Sequence, residues 1–176
     1  MNVRIALAIV ISLMLPKSAL ACTDPAEPSF LDQLAIARSV SVVRLTSLRV
    51  ADTAPESREI IGELEIIRPL KGKPTFRRIS YSDIWCGGMR PLVGHYFVIA
   101  TRSTGDTLRL VRGDNSIIDI SDDYASTYPP RPERAKLQWH IANYLRGTPF
   151  PEGVSRYLSW ANVHGSLPPP PPPPAQ

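Results

Sequence analysis

The segment Ile60-Ile-Gly-Glu-Leu-Glu-Ile-Ile67 places the firmest limit on what this chain can fold into. Gly62, Leu64 and Ile66 fall on one face and Glu63 and Glu65 on the other, the period of two that an extended strand uses and a helix cannot. Four further runs of strand character accompany it. Val40 to Val50 is rich in β-branched residues, Phe76 to Tyr81 is a third run, His95 to Thr101 is strongly apolar, and Thr107 to Arg112 follows the polar turn Ser103-Thr-Gly-Asp106. The last two read as a hairpin. Ala51 to Ser57 is a polar loop containing Pro55, and Pro69 to Pro74, around Lys71-Gly72-Lys73, is a turn. Parallel strands need long crossover connections, usually helical, and these links are short. The expected fold is therefore mainly β, a small five-stranded antiparallel barrel with a short helix before it and another after it.

Both helices have recognisable ends. Ser29 can cap a helix over Phe30 to Ala37, with Asp32 in its positive first turn. Beyond Asp122-Asp123, Pro132 suits the first turn of a second helix running to Arg146. Leu137, Ile141, Tyr144 and Leu145 form its apolar stripe, and Gly147 ends it. That stripe must pack on something, and the barrel is the surface at hand. The stretch from Pro149 to Leu167 gives no clear signal, while Pro168 to Pro174 are consecutive prolines, which favour an extended polyproline helix, a spacer or unstructured end rather than a ligand for an aromatic-lined groove.

At the other end, Arg4 precedes an apolar run from Ile5 to Leu15, closed by Pro16 and Lys17 and followed by Ala19-Leu20-Ala21. This is the pattern of a secretory signal peptide cleaved after Ala21, and the run is too short for a transmembrane helix. Cleavage makes Cys22 the first residue of a secreted or periplasmic protein. Acylation of Cys22 as a lipoprotein is the alternative, although Ala19 stands where such signals usually carry Leu. The expected organisation is a signal peptide over 1–21, a barrel domain over 22–121, a helical extension over 122–167 and a proline-rich tail over 168–176.

The full chain of 176 residues carries a formal charge of +4, and cleavage removes Arg4 and Lys17 from it. The remainder is nearly neutral with scattered basic residues, so nucleic acid is not an expected partner. Enzyme motifs are equally sparse. The histidines His95, His140 and His164 lack metal-ligand spacing, and there is neither a paired-cysteine motif nor a nucleophile elbow. No cofactor, no resident metal and no catalytic residue are expected. The one enzyme idea makes Cys86, in "WCGGM", a nucleophile activated by His95 or His140. A disulfide would consume that sulfur. Two cysteines, Cys22 and Cys86, in an oxidising compartment favour such a bridge, and closing a loop of that span is worth roughly 4 kcal/mol in the chain-entropy model.

In order along the chain, "CTDP", "SVVRLTSL", "LEIIRPLKG", "WCGG", "GHYFVIA" and "LRLVRGD" resemble the inhibitory domain of the tissue inhibitors of metalloproteinases, a netrin-like OB barrel. The similarity spans about Cys22 to Ile120. It implies that Cys22 pairs with Cys86, that the freed amine and carbonyl of Cys22 chelate the zinc of a target metalloprotease, and that the Thr23 side chain enters the adjoining specificity pocket. The chemistry is sound, because a catalytic zinc keeps an open coordination position and a terminal amine with a pKa of about 7.7–8.0 is partly neutral at physiological pH. Lipidation of Cys22 would abolish it. Two departures stand out: Asp24 replaces the second cysteine of those inhibitors, whose partner near Gly113 is also missing, and the cysteine-rich second domain gives way to the helix at Pro132–Arg146. A non-inhibitory module binding an envelope or extracellular protein or glycan is the competing expectation.

Overall fold

The computed structural model describes residues 28–51, 59–82, 91–110, 115–124 and 136–160. The signal peptide, Cys22, Thr23, Cys86, Pro132 and the proline tail lie outside them. The elements in chain order are α1 (Phe30–Ile36), β1 (Ser39–Ala51), β2 (Glu59–Lys71), β3 (Arg78–Ser82), β4 (Tyr96–Thr101), β5 (Thr107–Arg109), β6 (Ile117–Asp119), a 3-10 turn (Ser121–Asp123), α2 (Leu137–Tyr144) and α3 (Glu152–Trp160). The fold is mainly β, one curled sheet of mixed direction with short helices.

The strands order as β5-β3-β2-β1-β4-β6. Every pairing is antiparallel except β3 with β5, which is parallel through Ile79 opposite Leu108. Two expectations are corrected here. The sheet has six strands of mixed direction rather than five antiparallel ones, and β4 and β5 do not form a hairpin. The reason is that both edges of β4 are already filled, by β1 from Ser39 to Arg44 and by β6 from Ile117 to Asp119. The segment after β4 therefore passes on to the far edge and pairs with β3.

That crossing forces the sheet to curl. β4 and β5 stand four strand spacings apart, about 19 Å if the sheet were flat. The link from Thr101 to Thr107 reaches only about 20 Å when fully extended, and it is far from extended. The Ser103 N–H donates to Thr101 Oγ1 at 3.0 Å and the Gly105 N–H to Ser103 Oγ at 3.3 Å, a folded turn. Only a strongly curved sheet, a half-barrel, brings the two strands within its reach.

The curl gives the sheet two apolar faces. Val43, Leu45, Leu64, Phe76, Ile79, Phe97, Ile99, Leu108 and Ile117 pack together on the inner one. Val40, Val42, Val98, Ala100, Ile118 and Ile120 face the other way and are covered by Phe30 and Leu34 of α1, Leu137 and Ile141 of α2, and Val154, Tyr157 and Leu158 of α3. Being covered on both faces, β1 is buried at five successive positions from Ser39 to Val43, where an amphipathic strand would alternate. The alternation expected at Gly62–Ile66 is present, with Glu63 and Glu65 exposed.

Several boundaries also move. β2 continues to Lys71, through the expected turn, and Pro69 is accommodated between register shifts in its pairing with β1, the kind of position where a strand tolerates proline. The turn survives at Gly72, which has φ +60°. Helix α1 stops at Ile36 and has the expected capping box, Ser29 with Asp32. Leu137 and Ile141 of the expected stripe are buried, with Tyr144 and Leu145 packed against the same cluster, so the C-terminal helix does dock on the sheet. Helix α3 occupies a stretch with no clear helix signal in its residues. Among the described residues, no helix is long and apolar enough to cross a membrane.

Candidate functional site

The residues expected to act, Cys22, Thr23 and Cys86, lie outside the described residues. The structure does describe where the chain behind them is held. The Asn115 side-chain amide donates to the Pro28 carbonyl at 2.9 Å, and Asn115 is buried at the start of the β6 segment. Ser29 then caps α1. Pro28 is thus tied to the β6 segment, six residues after the expected mature terminus.

The histidines of the enzyme idea are not brought together. His95 Nδ1 lies 2.7 Å from Asp119 Oδ2, while the other Asp119 oxygen accepts the Ser121 N–H at 2.7 Å. The ring stacks on Phe97 with centroids 6.2 Å apart. This fixes the orientation of His95 at the rim of the inner face. His140 sits on α2, edge-on to the exposed Trp139 at 5.0 Å. Among the described residues, no three His, Cys, Asp or Glu side chains gather to hold a metal.

A different cluster is assembled on the helix-covered face, just beyond the helices. Tyr96 opens β4, and its N–H donates to Ser121 Oγ at 2.9 Å. The 3-10 turn that follows β6 then carries Tyr124 back over it, and the two rings stack at 3.8 Å, 13° from parallel. Arg44, directly across from Tyr96 in the β1–β4 register, places its guanidinium 5.7 Å from the Tyr96 centroid. At the phenol edge, Gln138 Oε1 accepts from both Tyr124 Oη at 3.3 Å and Arg68 at 3.1 Å. Burial pushes the Tyr124 phenol above its ordinary pKa, so it remains a hydrogen-bond donor at neutral pH. Tyr124 is nevertheless 41 % exposed.

Asp123 holds this cluster in position. Its carboxylate accepts the Leu137 N–H at 3.0 Å and the Gln138 N–H at 2.8 Å, serving from a distant segment as the cap that Lys136, with φ +55°, cannot supply. Desolvation raises the pKa of Asp123, with those backbone N–H groups pulling against it. Asp123→Ala should therefore destabilise the protein by about 1–2 kcal/mol, the cost of losing a helix cap, in a urea titration. Asp123→Asn, which keeps one acceptor, should lose less.

None of these five platform residues is singled out by the sequence. Arg44 and Tyr96 read as parts of strands, Arg68 falls between an expected strand and an expected turn, and only the pairing of β1 with β2 and β4 makes neighbours of them. No protein-family model matches the chain, and no curated protein is significantly similar to it.

Proposed function

We propose that the chain is an exported, non-catalytic binding module on a netrin-like OB-type barrel, holding a protein or glycan partner of the envelope or extracellular space. The curled β5-β3-β2-β1-β4 segment of the sheet supports the OB-type reading, since such barrels are five-stranded and partly open. The observation that carries the binding role is the Tyr96–Tyr124 stack with Arg44 and Arg68. An exposed aromatic and cationic platform adds little to folding, whereas aromatic and arginine side chains dominate recognition surfaces. The proline tail then serves as a spacer, and the signal peptide delivers the chain to the secretory or periplasmic side.

The inhibitor reading has its own support in the Asn115–Pro28 hydrogen bond. An anchor at Pro28 shortens the free segment ahead of it, so less freedom is lost on engaging a protease cleft, which favours zinc chelation by the Cys22 amine and carbonyl, with Thr23 in the adjoining pocket and Cys86 as the bridge partner.

One experiment separates the two. Immobilised mature protein is offered envelope extract and, in parallel, a panel of zinc metalloproteases with a peptide substrate. The binding reading predicts that Tyr124→Ala abolishes partner recovery and that an alanine added ahead of Cys22 changes nothing. Inhibition of a protease that the added alanine abolishes, with recovery indifferent to Tyr124→Ala, would replace the first reading with the second.

A further inference from the structure

We infer that the Tyr124 face is a subsite for one pyranose of an acidic glycan, with the sugar's carboxylate received by Arg68. This rests on the binding-module reading and names its ligand class.

The chemistry follows from what the platform leaves open. The Tyr96 ring is engaged by both the Arg44 guanidinium and the Tyr124 ring. Among the described residues Tyr124 has one ring partner, Tyr96, and it stays substantially exposed. A tyrosine face is the size of one pyranose and presents the negative side of its quadrupole, which suits the polarised C–H groups of a sugar ring. Around its edge stand the Tyr124 hydroxyl, the Gln138 amide and the Arg68 guanidinium, held mutually by two hydrogen bonds. A flat apolar face rimmed by fixed donors and acceptors matches a ring that is apolar above and hydroxylated at its equator.

The charge selects among sugars. Neither Arg44 nor Arg68 has a carboxylate partner among the described residues, although Glu65 stands opposite Arg44 in the β1–β2 register. Asp123, the acid next to Tyr124, is committed to the N-terminus of α2. Arg68 spends one nitrogen on Gln138, no carboxylate among the described residues takes its other N–H groups, and a guanidinium receives a carboxylate in two-pronged fashion. Single-stranded nucleic acid also stacks on aromatics, but it needs a basic groove along its backbone, and this chain is near neutral with scattered charge. A peptide anchor would call for an apolar pocket, and Tyr124 offers a rimmed plane.

The test is isothermal titration of the mature protein with hexagalacturonate, and with uncharged maltohexaose as the neutral arm. Wild type should bind the uronate and favour it over the neutral sugar. Tyr124→Ala and Arg68→Gln should each weaken binding by about tenfold, the loss expected for one stacking face or one charge-assisted contact. Arg68 is exposed, so Arg68→Gln retains the fold and keeps the test valid if Tyr124→Ala does not. No binding by wild type, equal affinity for maltohexaose, or unchanged affinity in Arg68→Gln overturns the assignment. If wild type ignores the uronate while Tyr124→Ala still abolishes recovery from envelope extract, the ligand class is wrong and the binding module stands. If recovery is also indifferent to Tyr124→Ala, both are wrong.

Discussion

Phe97→Ala should lower stability by about 3–5 kcal/mol, the range for removing a fully buried aromatic from a core, out of a total of about 5–15 kcal/mol for a domain of this kind. Phe97 has no exposed surface and packs on the inner face beside Val43, its partner on β1, and Ile99 and Ile117. The interior of a strongly curled sheet cannot collapse onto the missing ring without changing the curl, because β1 and β6 grip β4 on both sides. Most of the cavity should therefore persist. The same substitution removes the ring on which His95 stacks, so the His95 imidazole signals should shift in an NMR spectrum even under conditions where the protein stays folded. A cost below about 1 kcal/mol would mean an interior able to relax around the void.

How much of this was legible depended on the length over which each element repeats. The strands around Gly62–Ile66, Val40–Val50 and Tyr96–Thr101 show in the sequence because their period of two or their density of β-branched residues persists for several residues. β6, only Ile117–Asp119, is too short to show a period, and its absence from the sequence reading left β4 with an apparently free edge. The hairpin with β5 followed from that gap. Direction was lost for the same reason: a turn as polar as Ser103–Asp106 signals a reversal locally, whereas the partner of the next strand is decided by which edges remain open across the whole sheet. Helix α1 was readable because its start signal, Ser29 with Asp32, is contained in four residues. The α2 start was misread for the opposite reason, since its cap is Asp123, far back in the chain.

The candidate sites divide along the same line. Cys22, Thr23 and Cys86 were singled out by motif order and a cleavage pattern, which are linear properties. The platform is not linear. Arg44 and Arg68 look like solvated strand residues, Tyr96 like one more apolar position of its strand, and Gln138 like a helix surface residue. Their common feature is convergence at the edge of the helix cover, where Gln138 of α2 meets Arg68 of β2 and Tyr124. Sequence alone offers one hint, that Arg44 and Arg68 interrupt otherwise apolar runs. It becomes informative only once the β1–β2 register sets Val42 opposite Arg68.

Gly72→Val should be nearly as damaging as Phe97→Ala, and for a reason that involves no core packing. Gly72 has φ +60°, and a Cβ there would lie 2.4 Å from the backbone carbonyl oxygen of Arg38. The left-handed conformation alone costs a non-glycine residue about 1–2 kcal/mol. The contact adds more, because the obstacle is a carbonyl rather than the end of a flexible side chain. Arg38 has little freedom to move, since its N–H donates to the Thr101 carbonyl at 2.9 Å and so ties the α1–β1 connection to the end of β4. Displacing it would strain the junction of helix and sheet, for a combined cost of about 2–5 kcal/mol when the backbone shift is included. Gly94 is the internal control. It has φ +87° with nothing within 4 Å of a built Cβ, so Gly94→Ala should show the conformational cost alone, about 1 kcal/mol. Gly72→Ala, measured beside it in urea, should lose at least about 1 kcal/mol more. Equal losses at the two glycines would mean that the Arg38 carbonyl yields freely, and that the β2 end is not what locks α1 onto the sheet.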